Sequence, residues 1–170
     1  MVKQTMEELK YKLTEESIVI YNKTLYRIEA LKDFGDVKKG DKGGYVENED
    51  NLSQSDECWI YGVAKVYDDA KIYDNAKIYD NAQLYDDAIV YEDAAVYGNA
   101  KVYGKADVCG NVWVFGVAKV YDGAIVCDNA KVYGKANVCG NAVVHDNAKV
   151  HGDAVVCGDM VVCGNAVVYD

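Results

Sequence analysis

From Ile60 to Lys101 the chain reads IYGVAK VYDDAK IYDNAK IYDNAQ LYDDAI VYEDAA VYGNAK, a six-residue unit whose register then holds without a slip to Asp170. The first slot is Ile60, Val66, Ile72, Ile78, Leu84, and from Val90 to Val168 always valine. The fifth is alanine throughout, except for Val112 and Met160. Side chains alternate faces along an extended strand, so slots five and one point inward while slots six (often Lys) and two (Tyr or Cys) point outward. Slots three and four, as Asp-Asn, Gly-Asn, Asp-Asp or Gly-Lys, are residues that accept the positive φ of a tight corner. A helix does not fit. Period six would set successive apolar residues about 240° apart on a 3.6-residue helix, and its Gly and Asn corners would weaken it.

Short strands joined by corners and stacked coil on coil give an all-β fold, a parallel β-helix. The unit resembles the hexapeptide repeat of left-handed β-helices, in which three hexads make one triangular coil, although Tyr here replaces the usual small residue after the aliphatic one. On that reading residues 58–170 form a left-handed β-helix of about six coils, eighteen residues each, and residues 1–57 form a small β-rich cap over one end. Ser17–Tyr21 and Leu25–Ile28 predict a hairpin about Asn22-Lys23. Lys39–Gly44 predicts a turn before Tyr45-Val46, and Met6–Leu13 a short helix.

The stretch TLYRIEALKDFGDVKKGDKGGYVENEDNLSQ (Thr24–Gln54), running straight into the hexads, is similar to phage, prophage and bacterial hexapeptide-repeat proteins with a small N-terminal domain, the YdcK type. The resemblance implies the fold and carries no catalytic residues.

A net charge of −10 argues against a surface that neutralises phosphates, so nucleic acid is not an expected partner. The first residues, with Glu7, Glu8, Lys10 and Lys12, do not read as a signal peptide, and no later run is long enough for a membrane span. A cytoplasmic protein is expected. Five of the six cysteines (Cys109, Cys127, Cys139, Cys157, Cys163) occupy slot two, so their spacing follows from the repeat, and reduced thiols are expected.

Many left-handed β-helices are acyltransferases that use a histidine and loops projecting between coils. No hexad here carries an insertion, and His145 and His151 occupy slot two in place of tyrosine. They are the two candidates for a general base, against the reading that they are surface members of an aromatic column. No Ser or Thr follows Ser55, which removes serine catalysis and threonine-based ice binding from the solenoid.

Every eighteenth residue stacks, giving three slot-two columns: Tyr61 to Tyr169, Tyr67 to Cys157, and Tyr73 to Cys163. Such ladders stabilise a sheet, and their flat rings can also take sugars, nucleobases or a protein. The third column aligns Cys127, His145 and Cys163, soft-metal donors in a row that makes a poor tetrahedron. Asp68, Asp69, Asp86 and Asp87 cluster at the corners of adjacent coils, either as solvated turn residues or as ligands for Ca²⁺. No cofactor is expected.

One outer face carries Lys65, Gln83, Lys101, Lys119 and Asn137 in slot six over most of its height and a second carries Lys77, Lys131 and Lys149, whereas the third runs Lys71, Ile89, Asp107, Ile125, Val143, Val161. This predicts a homo-oligomer, a trimer before a dimer, joined through Ile89, Ile125, Cys127, Val143, His145, Val161 and Cys163. The function read from sequence is a non-catalytic binding or assembly module, and the resemblance implies a phage-encoded one that takes up a host protein or a small molecule. The alternatives are an acyltransferase-like enzyme and a structural part of a virion or surface assembly.

Overall fold

A computed structural model describes residues 9–170 and shows an all-β chain whose body is a parallel β-solenoid with one short 3-10 turn, Glu49–Asn51, among the described residues. Strand β1 (Tyr11–Ile20) and strand β2 (Lys23–Ala30) pair antiparallel. Tyr21 and Asn22 form the two-residue turn, both with positive φ (46° and 65°), one residue earlier than the sequence suggested. Strand β3 (Lys42–Val46) pairs antiparallel with β2 on one edge and parallel with Lys65-Val66 on the other. It therefore converts the hairpin's pairing into that of the solenoid. Gly44 is needed for that approach, since a Cβ there would lie 2.4 Å from Ile60 Cγ2 and 2.5 Å from the Ala64 carbonyl oxygen.

Helix is absent from residues 9–13 of the short helix expected over Met6–Leu13, and residues 6–8 of that expectation lie outside the described residues. Long-range bonds hold these residues extended. The Tyr11 hydroxyl donates to the Leu52 carbonyl at 2.7 Å, and the Gln54 side chain accepts from the Tyr11 N–H at 3.2 Å and donates back to its carbonyl at 3.2 Å. Beside them the buried Lys10 ammonium donates to the carbonyls of Ser55 (3.0 Å) and Cys58 (2.9 Å). Burial holds its pKa below the usual lysine range.

Three sheets make the prism. Face one has seven strands, from Trp59-Ile60 to Val167–Tyr169; face two continues from β3 through Lys65-Val66 to Val155-Val156; face three has six, from Lys71-Ile72 to Val161-Val162. Seven rungs on face one, with Val46 and Leu52 paired to Val66 and Ile72, make about seven turns where the hexads alone gave six. The extra turn is built from sequence that breaks the register: Leu52 and Ile60 are eight residues apart instead of six.

Inside, slot one from Ile60 to Val156 and the alanines from Ala64 to Ala148 have no exposure to solvent. Each buried valine contributes on the order of 1.5–3 kcal/mol through removal from water, and alanine opposite it leaves room for close packing. Within the hexads positive φ is confined to slot three, in every one from Gly62 to Gly164, always Gly or Asp save Glu92. Slot four does not share it. Trp59, an outward slot, is nonetheless buried because Tyr11 and Phe34 pack edge-on against its ring at 6.2 and 5.3 Å.

Candidate functional site

The regular core leaves chemistry to the outer slots. On face three, parallel pairing aligns Ile89 with Asp107, Asp107 with Ile125, Ile125 with Val143, and Val143 with Val161. Ile125 and Val161 are 38% and 61% exposed. Asp107 separates Ile89 from the apolar row, so the uninterrupted strip is Ile125, Val143 and Val161 beside Cys127, His145 and Cys163.

His145 Nδ1 lies 3.2 Å from the Asp146 carboxylate and 3.9 Å from that of Asp128. The donor atoms of His145, Asp146 and Cys163 all fall within 4.8 Å of one another. Cys127, expected as the third donor, stands outside that group with its Sγ 3.9 Å from Asp128. Burial, then the Asp128 charge, pushes the Cys127 thiol up to about 11, so at neutral pH it is protonated and a poor nucleophile or ligand. His151 sits in a stack of rings, 4.8 Å from Tyr133 and 5.5 Å from Tyr169, as a ladder member.

Two of the four corner aspartates are engaged with the protein. Asp68 pairs with Lys23 and accepts from the Asp86 N–H at 3.4 Å, and Asp86 accepts from the Gly104 N–H at 3.0 Å. Asp69 and Asp87, in slot four, are exposed.

On face two, Tyr67, Tyr85, Tyr103 and Tyr121 stack at 5.1, 4.8 and 4.9 Å with near-parallel planes. The column ends in Cys139 and Cys157, which form a disulfide. This corrects the expectation that all thiols are reduced. Stacking brings their Cα atoms to 4.5 Å, inside the span a disulfide bridges.

Face one holds a feature that the sequence reading passed over. A notch of about 380 Å³ is lined by Tyr79, Asp80, Ala95, Tyr97 and Trp113. Its signal was present in slot six, where Ala95 and Trp113 stand on successive rungs that elsewhere on the face mostly carry lysine.

The family model described as YdcK Beta solenoid repeat matches residues 82–98, about one coil of the solenoid. The repeat is thus similar to that of YdcK-like β-helix proteins, in agreement with the resemblance seen in the sequence. No curated protein matches the chain.

Proposed function

We propose that this YdcK-like solenoid is a non-catalytic binding and assembly module that joins copies of itself through face three, as a trimer before a dimer. The observation that carries the reading is the apolar strip of Ile125, Val143 and Val161 on a chain of net charge −10. Copies that repel one another elsewhere can meet where a strip of apolar side chains has no charge of its own to desolvate. A flat face repeated about a closed axis buries the strip in every copy at once. The resemblance of Thr24–Gln54 to phage proteins supports a further role in the host cytoplasm, taking up a host protein or small molecule.

Size-exclusion chromatography with light scattering tests the assembly. The wild type is expected as a trimer and Val143→Lys/Val161→Lys as a monomer. Lysine already occupies the same slot at Lys131 and Lys149 on face one, so the fold tolerates it there. A wild-type monomer at micromolar concentration, or a double variant that assembles unchanged, overturns the reading.

An acyltransferase-like activity is the second reading, and the 3.2 Å contact between His145 and Asp146 is the observation in its favour, because a carboxylate can orient a basic imidazole. Under the binding reading, any acyl transfer detected survives His145→Ala and His151→Ala; its loss in either variant favours the enzyme.

A further inference from the structure

Face one departs from its own repeat at three adjoining places. Ala95 is the one alanine in slot six of the hexads. Trp113, its neighbour on the next rung, is 44% exposed. The aromatic column stacks from Tyr61 to Tyr79 (4.5 Å) and again from Tyr97 through Phe115 and Tyr133 (4.8 and 4.9 Å), but Tyr79 and Tyr97 do not stack. These departures coincide at the notch. The fold does not call for them, since a lysine in slot six covers the sheet with its stem on neighbouring rungs.

The lining also has a sign. Lys77, the residue one rung before Ala95, is drawn away by Asp36, whose carboxylate lies 3.0 Å from its ammonium and also accepts from the Tyr61 hydroxyl at 2.7 Å. The charged group left on the lining is the Asp80 carboxylate, one oxygen of which accepts from the Gly98 N–H at 3.0 Å. On the rung beyond Trp113, the Lys131 ammonium stands 4.1 Å from the centre of the indole ring. The indole therefore already receives one cation within the chain. The notch lies toward Ala95, on the rung opposite Lys131.

We propose that this notch binds a small quaternary ammonium or alkylammonium ligand, held between Trp113, Tyr79 and Tyr97 with Asp80 supplying the countercharge. Aromatic faces attract a weakly hydrated cation through the ring quadrupole, and a carboxylate at the rim adds to that attraction. The site is separate from face three and does not depend on self-association.

Fluorescence titration with tetramethylammonium and choline reads it directly, because Trp113 is exposed while Trp59, the other tryptophan, is buried. The neutral isostere 3,3-dimethylbutanol is the control, and sedimentation with phosphatidylcholine vesicles distinguishes a free ligand from a lipid head group. Saturable binding is expected, with the isostere weaker by roughly tenfold or more. Asp80→Asn, which keeps an acceptor for Gly98, is expected to weaken binding, and Ala95→Lys, which fills the notch with the residue of the preceding rung, to abolish it. An unchanged melting temperature in both variants shows that they fold. Equal affinity for the neutral isostere, no saturable binding by the wild type, or unaltered binding by a folded Ala95→Lys overturns the proposal.

Discussion

The carboxylate of Asp86 accepts a hydrogen bond from the backbone N–H of Gly104, 3.0 Å away and one coil on. The same bond joins Asp74 to Glu92 (3.1 Å), Asp128 to Asp146 (3.0 Å) and Asp146 to Gly164 (2.8 Å). Asp86 itself has φ of 56°, so one side chain both tolerates the corner conformation and ties the corner to its neighbour. Alanine can do neither. Asp86→Ala is expected to cost about 2 kcal/mol, the sum of a left-handed alanine and a lost hydrogen bond. Asp86→Asn, which keeps an acceptor and the turn preference, is expected to cost less than about 1 kcal/mol. Chemical denaturation compares them, and equal losses would remove the corner bond from the account.

Burial makes the two sides of a strand unequal. Val102 is wholly buried, whereas Tyr103 and Lys101 lie partly exposed on the outer surface. Val102→Asp places a carboxylate in the apolar interior and is expected to destabilise by more than about 4 kcal/mol. Tyr103→Asp removes one ring from a surface stack and leaves a folded protein. Circular dichroism on both variants checks the inside and outside of the repeat, and the reverse ranking would invert them.

This inside and outside was legible because every hexad repeats the same local choice, so Val102 and Ala106 could be placed from their nearest neighbours in sequence. Val46 and Leu52 were not legible as solenoid residues. Their partners Val66 and Ile72 lie twenty residues on, which the eighteen-residue stacking rule does not find. Tyr11 was read toward a helix because its fixing contacts, Leu52 and Gln54, are more than forty residues away. At the face-one notch, Ala95 and Trp113 depart from the repeat, but the sequence reading did not single them out. The gap between Tyr79 and Tyr97 depends on ring placement, which composition does not encode.

Stacked tyrosines carry a pH dependence. Burial first, then the neighbouring ring of Tyr103, pushes the Tyr85 phenol up to about 12, and burial moves Tyr61, Tyr67 and Tyr79 in the same direction. A raised folded-state pKa gives stability that is fully present below the unfolded value near 10 and lost as pH rises toward about 12, because the unfolded phenols release their protons first. The protein is therefore expected to unfold in that alkaline window, with phenolate absorbance and loss of circular dichroism rising together. If these tyrosines ionised near pH 10 while the circular dichroism stayed intact, the ladder would not be shielding them.

Cys139 and Cys157 close a loop through their disulfide at a sequence separation of 18, the length of one coil. In the unfolded chain that closure removes conformational freedom worth about 3 kcal/mol. The other thiols, Cys58, Cys109, Cys127 and Cys163, remain free. Without reductant, Cys157→Ser is expected to lower unfolding stability by up to about 3 kcal/mol, and the difference from wild type should nearly vanish once reductant opens the bridge. Titrating thiols in denaturant reads the same state chemically: four react in the untreated wild type and six after reduction. Six reactive thiols before any reductant, in protein purified without it, would mean that stacking alone holds this pair together and that the end of the face-two column is a pair of thiols.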